Sequence, residues 1–130
     1  MQVTALDHLV LTVRDLDKTV QFYGQVLGMQ VEEFRATDQS LRMALKFGNQ
    51  KINLHVAGSE FDPKSANPTP GSADLCFLTE TDLPRWIEHF GHHQVTIIDG
   101  PIRRTGATGP INSLYVRDPD GNLIEVSVLG

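Results

Sequence analysis

The stretch Ala5-Leu6-Asp7-His8-Leu9-Val10-Leu11-Thr12-Val13-Arg14-Asp15-Leu16 decides the fold, because its features return in order at Ala73-Asp74-Leu75-Cys76-Phe77-Leu78-Thr79-Glu80-Thr81-Asp82-Leu83. Each begins with a β-branched and apolar run that reads as a strand, residues 5–13 and 73–79. Each then reaches an aspartate able to accept backbone N–H bonds as a helix N-cap, Asp15 and Asp82. Apolar residues come next at helical spacing: Leu16, Val20, Tyr23 and Leu27 in the first copy, Leu83, Trp86, Ile87 and Phe90 in the second. Gly28 and Gly91 are placed to stop the two helices, and Pro84 is tolerated in the first turn of the second.

Working outward, extended segments are expected at about 29–36, 40–47 and 51–57, with Gly48-Asn49-Gln50 as a turn. The second copy continues with extended segments at about 94–99, 111–117 and 122–129, the last entered through the Asp118-Pro119-Asp120-Gly121 turn. Residues 58–71 carry three prolines and two glycines and read as a linker. The fold class is therefore α+β, two tandem βαβββ modules with curved mixed sheets. Module 1 covers about residues 4–57 and module 2 about 72–130, within a single domain 1–130. The offsets between copies support a duplication: 67 positions for the two helix caps, 66 for His8 against Asp74, and 70 for His55 against Glu125.

Composition narrows the function classes. The chain has 130 residues, 40% hydrophobic and 21% charged, which suits one globular domain. A net charge of −5, with Arg103-Arg104 the only paired cations, leaves no track for nucleic acid or an acidic membrane. Cys76 is the sole cysteine, so no internal disulfide forms and a cytoplasmic home is expected. Within its apolar run it reads as a buried, inert thiol. The start lacks a signal-peptide pattern, and no apolar stretch is long enough to span a membrane.

Alternation along the strands sorts the chemistry. Leu9, Leu11 and Val13 share a face, as do Ile52, Leu54 and Val56, Leu75 and Phe77, and Ile124, Val126 and Val128. His8, His55, Asp74 and Glu125 all stand on the opposite faces. If two modules face one another around a cleft, two imidazoles and two carboxylates make a site for a borderline-to-hard divalent metal, with Ni, Zn, Mn, Co and Fe as candidates. Glu125 within an apolar strand asks for a cation, a partner or water, because a buried lone carboxylate is costly. Arg103 and Arg104, in a loop expected over 100–110, are candidates to hold a substrate anion. Tyr115 and Ser113 alternate with Leu114 and Val116 and are placed to face the same cleft. His89, His92 and His93 read as surface residues of the second helix, and Asp118–Gly121 lacks the ligands of a calcium loop.

Leu6-Asp7-His8-Leu9-Val10-Leu11-Thr12-Val13, Phe22-Tyr23 with Leu27-Gly28-Met29, and Arg117-Asp118-Pro119-Asp120-Gly121-Asn122-Leu123-Ile124-Glu125 resemble the vicinal oxygen chelate superfamily. That group includes glyoxalase I, extradiol dioxygenases, fosfomycin-resistance transferases and bleomycin-binding proteins, and the likeness runs through essentially the whole chain. The runs Lys51-Ile52-Asn53-Leu54-His55, Asp74-Leu75-Cys76-Phe77 and Arg104-Thr105-Gly106-Ala107 resemble the subgroup called glyoxalase domain-containing protein 5, whose bacterial members are often labelled virulence proteins. The resemblance implies a divalent metal that chelates two neighbouring substrate oxygens, with family ligands falling on His8 and Glu125. Asp74 stands where the family commonly has His, and His55 where glyoxalase I often has Glu. It also implies Glu125 as the residue that moves the substrate proton, with His55 as a second base, and a homodimer whose subunits share sites. The activities implied are a metal-dependent lyase or isomerase acting on a small oxygenated metabolite, an Fe(II) ring-cleaving dioxygenase, or a metal-free drug- or metabolite-binding protein.

Overall fold

The computed structural model describes residues 1–130 and divides into two compact units, Met1–Pro70 and Gly71–Gly130. The boundary falls at the end of the linker read from composition. Unit 1 runs β1 (His8–Val13), α1 (Leu16–Gln21), β2 (Gln30–Arg35), β3 (Leu41–Phe47) and β4 (Gln50–Val56). Unit 2 repeats the order with β5 (Asp74–Leu78), α2 (Leu83–His92), β6 (Asp99–Thr105), β7 (Pro110–Arg117) and β8 (Leu123–Leu129). Each unit holds one mixed four-stranded sheet, ordered β1-β4-β3-β2 and β5-β8-β7-β6. In both, the first and last strands pair in parallel and the other pairs are antiparallel. The βαβββ repeat is therefore real, down to strand order. No helix is long and apolar enough to cross a membrane.

Both helices begin as their caps require. Asp15 Oδ1 accepts from the Lys18 amide at 3.0 Å and Asp82 Oδ1 from the Arg85 amide at 3.1 Å. The first helix departs from a regular α-helix after Gln21. Phe22–Val26 form a π-helical turn, with the Leu27 amide donating to the Phe22 carbonyl at 3.2 Å. The wider turn shifts the helical phase, so Phe22, Tyr23 and Val26 are buried while Leu16, Val20 and Leu27 are only half-buried. Gly24 sits within this turn, where an added Cβ would lie 3.1 Å from Val31 Cγ2. Gly28 does act as the stop, at φ 76°.

Two expectations in unit 2 need correction. Gly91 does not end α2, which continues to His92; the left-handed residue is Gln94 at φ 57°, and the Val95 amide returns to the Phe90 carbonyl at 2.9 Å. The strand expected at 94–99 is instead Asp99–Thr105, so Arg103 and Arg104 sit on a strand rather than in a loop. Gly100 and Pro101 carry a loop signal, but β6 is an edge strand, where a missing N–H is tolerated. The register slips between Asp99 and Ile102, and Gly100, at φ 99°, lies so close to the Ser113 carbonyl that a Cβ would collide with it.

The apolar faces form the cores as the alternation predicts. Leu11, Val13, Ile52, Leu54 and Leu45 are buried in unit 1, and Ile124, Val126, Leu114, Val116, Leu83 and Phe90 in unit 2. Trp86 joins α2 to the end of β5 by donating from Nε1 to Thr79 Oγ1 at 3.1 Å.

Candidate functional site

In unit 2, register collects the polar side chains on the sheet face opposite the apolar one. Cys76 pairs with Glu125, Glu125 with Tyr115, and Ser127 with Ser113, while Asp74 lies one same-face step from Cys76. Arg104 pairs with Ile111 and so shares this face, whereas Arg103 pairs with Asn112 on the other. Arg103 reaches only the Gly130 carbonyl, at 3.5 Å. The structure thus brings Asp74, Glu125, Tyr115 and Arg104 to one face and leaves Arg103 out.

Glu125 is half-buried, and its Oε2 accepts from Ser113 Oγ at 2.5 Å. A hydroxyl has one proton to give, so the 2.7 Å contact between Ser113 and Ser127 is donated by Ser127. By the same count the 3.3 Å contact between Cys76 and Ser127 is donated by the thiol. Cys76 is exposed, not buried as expected, because Leu75 and Phe77 take the apolar side of β5. Its partial burial nevertheless pushes the thiol pKa up, and the nearby Glu125 carboxylate adds to this. Beside this chain of hydroxyls, Arg104 Nε donates to the Tyr115 hydroxyl at 3.0 Å, and Arg104 Nη2 lies 3.8 Å from Asp99 Oδ2. The Tyr115 oxygen accepts from Arg104, which leaves its own proton for another acceptor.

In unit 1, His8 opens β1 and His55 lies near the end of β4. His8 is exposed, and its Nδ1 contacts Asp7 Oδ2 at 2.7 Å. That bond holds the Asp7 carboxyl below its usual range and commits Nδ1, leaving Nε2 for a ligand. Nothing in the sequence pattern marks Asp7 as a functional residue; only its contact with His8 does. His55 is buried beneath Phe61, whose ring meets it edge-on at 5.4 Å, and the Arg42 guanidinium lies 4.0 Å from the centroid of the same Phe61 ring. Burial first, and then Arg42, push the His55 pKa below its ordinary value.

The pairing corrects the equivalence drawn between His55 and Glu125. His8 pairs with Lys51 and Val10 with Asn53; Asp74 pairs with Leu123 and Cys76 with Glu125. Superposing the strand pairs therefore sets Asn53 at the place of Glu125, and His55 at that of Ser127. His8 and His55 are four residues apart along paired strands, about 13 Å at the rise of a β-strand. Asn53 Oδ1 is buried and has no hydrogen-bond partner. No three His, Cys, Asp or Glu side chains gather closely enough to hold a metal ion.

The shift at His55 carries a prediction for stability. The unfolded chain protonates this ring near 6.5 and the folded chain only at lower pH, so between the two values the unfolded state binds more protons. Stability is expected to be full above pH 6.5 and to fall as pH drops through that value toward the lower, folded one. Urea midpoints measured from pH 8 to pH 5 should show this slope in the parent and lose it in His55→Gln.

A mixed β1-β4-β3-β2 sheet repeated as β5-β8-β7-β6, with a polar face carrying Glu125, describes a duplicated βαβββ protein. The profile of the Glyoxalase/Bleomycin resistance protein/Dioxygenase superfamily matches residues 5–126, and the chain belongs to that family. Within it, the chain is 51% identical over 127 residues to virulence protein STM3117 of Salmonella typhimurium, spanning 98% of this chain and 85% of that one. It is also 51% identical over 127 residues to glyoxalase domain-containing protein RDO1 of Mycosarcoma maydis, spanning 98% and 69%. The metallothiol transferase FosB of Staphylococcus epidermidis is more distant, 28% identical over 128 residues, spanning 97% and 82%. The crystal structure of STM3117 superposes with a TM-score of 0.94 over 100% of both chains. An integron cassette protein from the V. cholerae mobile metagenome, 55% identical, superposes at 0.93 over 100% of this chain and 98% of its own.

Proposed function

We propose that the chain is a divalent-metal-dependent enzyme of the lyase or isomerase type, acting on a small metabolite that presents two neighbouring oxygens. The observation that carries this reading is the half-buried Glu125 carboxylate, held through one oxygen by Ser113 on the face that also bears Asp74, Tyr115 and Arg104. One fixed oxygen leaves the other oriented for a cation or a substrate proton. His8, oriented by Asp7, together with Asp74 and Glu125, supplies the mixed nitrogen and oxygen donors that suit Ni, Zn, Mn, Co or Fe. When bound, such an ion supplies Lewis-acid stabilisation of negative charge on substrate oxygen. The name of the FosB relative, a metallothiol transferase, agrees with a metal-using chemistry.

The chain's own groups would divide the remaining work. Glu125 is placed to take and return a proton through the oxygen that Ser113 does not hold. The Tyr115 hydroxyl, accepting from Arg104, has its proton directed at a substrate oxygen. Arg104 adds a fixed positive charge for a substrate anion. His55, kept neutral by burial and far along the strands from His8, fits a base better than a ligand to the same ion. No three His, Cys, Asp or Glu side chains gather in the structure to hold an ion, and the reading accordingly includes the homodimer with shared sites that the family resemblance implies.

Two other readings rest on particular observations. Asn53 stands where the second module has Glu125, which leaves the donor set one carboxylate short and favours a metal-free metabolite-binding protein. An Fe(II) dioxygenase needs two histidines and a carboxylate on one ion, and the separation of His8 from His55 weighs against it.

Metal content decides among them. Untagged protein should carry near-stoichiometric divalent metal by mass spectrometry and run as a dimer by light scattering. The metal should be lost in both His8→Ala and Glu125→Ala. A chain that holds no metal, or whose metal uptake is unchanged in Glu125→Ala, is a binding protein, and one that stays monomeric overturns the shared-site dimer.

A further inference from the structure

α2 ends in Glu88-His89-Phe90-Gly91-His92-His93, three imidazoles within five residues that the chemistry above does not use. Residues four apart on a helix stand one above the other on the same face. His89 and His93 have that spacing, and their ring centroids lie 4.6 Å apart with planes at 60°. His92 is set apart by its contact with Glu88, Nε2 to Oε1 at 3.8 Å. Two rings already held side by side need little rearrangement to present one nitrogen each to a single ion. Each imidazole has two ring nitrogens, so either can keep a hydrogen bond while the other binds.

The surroundings favour a cation. His93 is the residue that closes α2, at φ −94° and ψ 6°, so the pair sits over the helix C-terminus. The last carbonyls there carry the negative end of the helix dipole, which stabilises positive charge in the final turn. His93 is exposed and His89 half-buried, so one side of an ion would face solvent and fill its remaining positions with water.

We propose that His89 and His93 form a second metal site, independent of Glu125, in which two imidazoles chelate one Cu(II), Ni(II) or Zn(II) ion. Neutral nitrogen donors suit these borderline ions, and affinity should follow the Irving–Williams order, with Cu(II) tightest.

The molecule carries its own reporter. Trp86 is the only tryptophan, its ring meets His89 edge-on at 5.5 Å, and its Nε1 is fixed on Thr79. A paramagnetic Cu(II) ion on His89 would quench its fluorescence. Untagged full-length chain is titrated with Cu(II) chloride at neutral pH, and Ni(II) and Zn(II) are then used as competitors. The expected result is saturable quenching at one ion per chain, reversed by EDTA, with apparent affinity at least about tenfold weaker in His93→Ala. His93 is exposed, so that variant leaves the core intact; His92→Ala should titrate like the parent. Quenching that never saturates, or that is as tight in His93→Ala as in the parent, overturns the proposal.

Discussion

Glu125→Gln is expected to abolish divalent-ion binding at the proposed centre and to lower turnover about a hundred- to ten-thousandfold, the range for loss of a positioned acid or base. The change is small in volume and leaves an oxygen that can still accept from Ser113, at 2.5 Å in the parent. The fold should therefore persist, and circular dichroism and the melting temperature should stay near the parent values. What disappears is the negative charge, which both a cation and a substrate proton require. Ser113→Ala separates orientation from charge. It keeps the carboxylate and removes the bond that fixes it, so metal affinity should drop about ten- to a hundredfold without vanishing. Equilibrium dialysis of the three proteins against one metal ion reads both effects. If Glu125→Gln binds the ion as tightly as the parent, Glu125 is no ligand and the metal-dependent reading loses its anchor.

Much of this arrangement is legible in the residues because the repeat constrains them twice. Asp15 and Asp82 cap helices as their positions require, and the aliphatic faces of β1, β4 and β8 are the ones directed to the cores, while Leu75 and Phe77 of β5 are half-buried. The strand order then repeats between units. Other features lie beyond local pattern. Face alternation has a period of two, so it cannot distinguish residues two apart on one strand. Alternation alone therefore allows His55 to match Glu125, although the register sets Asn53 there. The same ambiguity does not affect Arg103 and Arg104, which are adjacent and must point to opposite faces once they lie on a strand. Their strand is hidden by Gly100-Pro101, a turn signal that an irregular edge strand tolerates. Cys76 reads as a core residue because its neighbours are apolar, but neighbours along a strand point the other way. The π-helical turn at Phe22–Val26 depends on tertiary packing of Phe22 and Tyr23, which no local propensity encodes.

Phe90→Ala should have the largest effect on stability, about 3–5 kcal/mol. Phe90 is fully buried and packs against Trp86 with ring centroids 5.4 Å apart, while its carbonyl accepts the Val95 amide that closes α2. Truncation removes the apolar burial and opens a cavity beneath a helix only ten residues long. Native domains are typically stable by about 5–15 kcal/mol, so the loss is a large fraction of the total. At roughly 4 °C per kcal/mol, the melting temperature should fall by roughly 12–20 °C. Phe90→Leu, which keeps most of the volume, should recover most of that loss. Thermal melts followed by Trp86 fluorescence report on the helix directly. An alanine variant that melts within a few degrees of the parent would mean that α2 is not held to unit 2 by its buried face. The Trp86 bond to Thr79 and the cap at Asp82 would then have to account for its position.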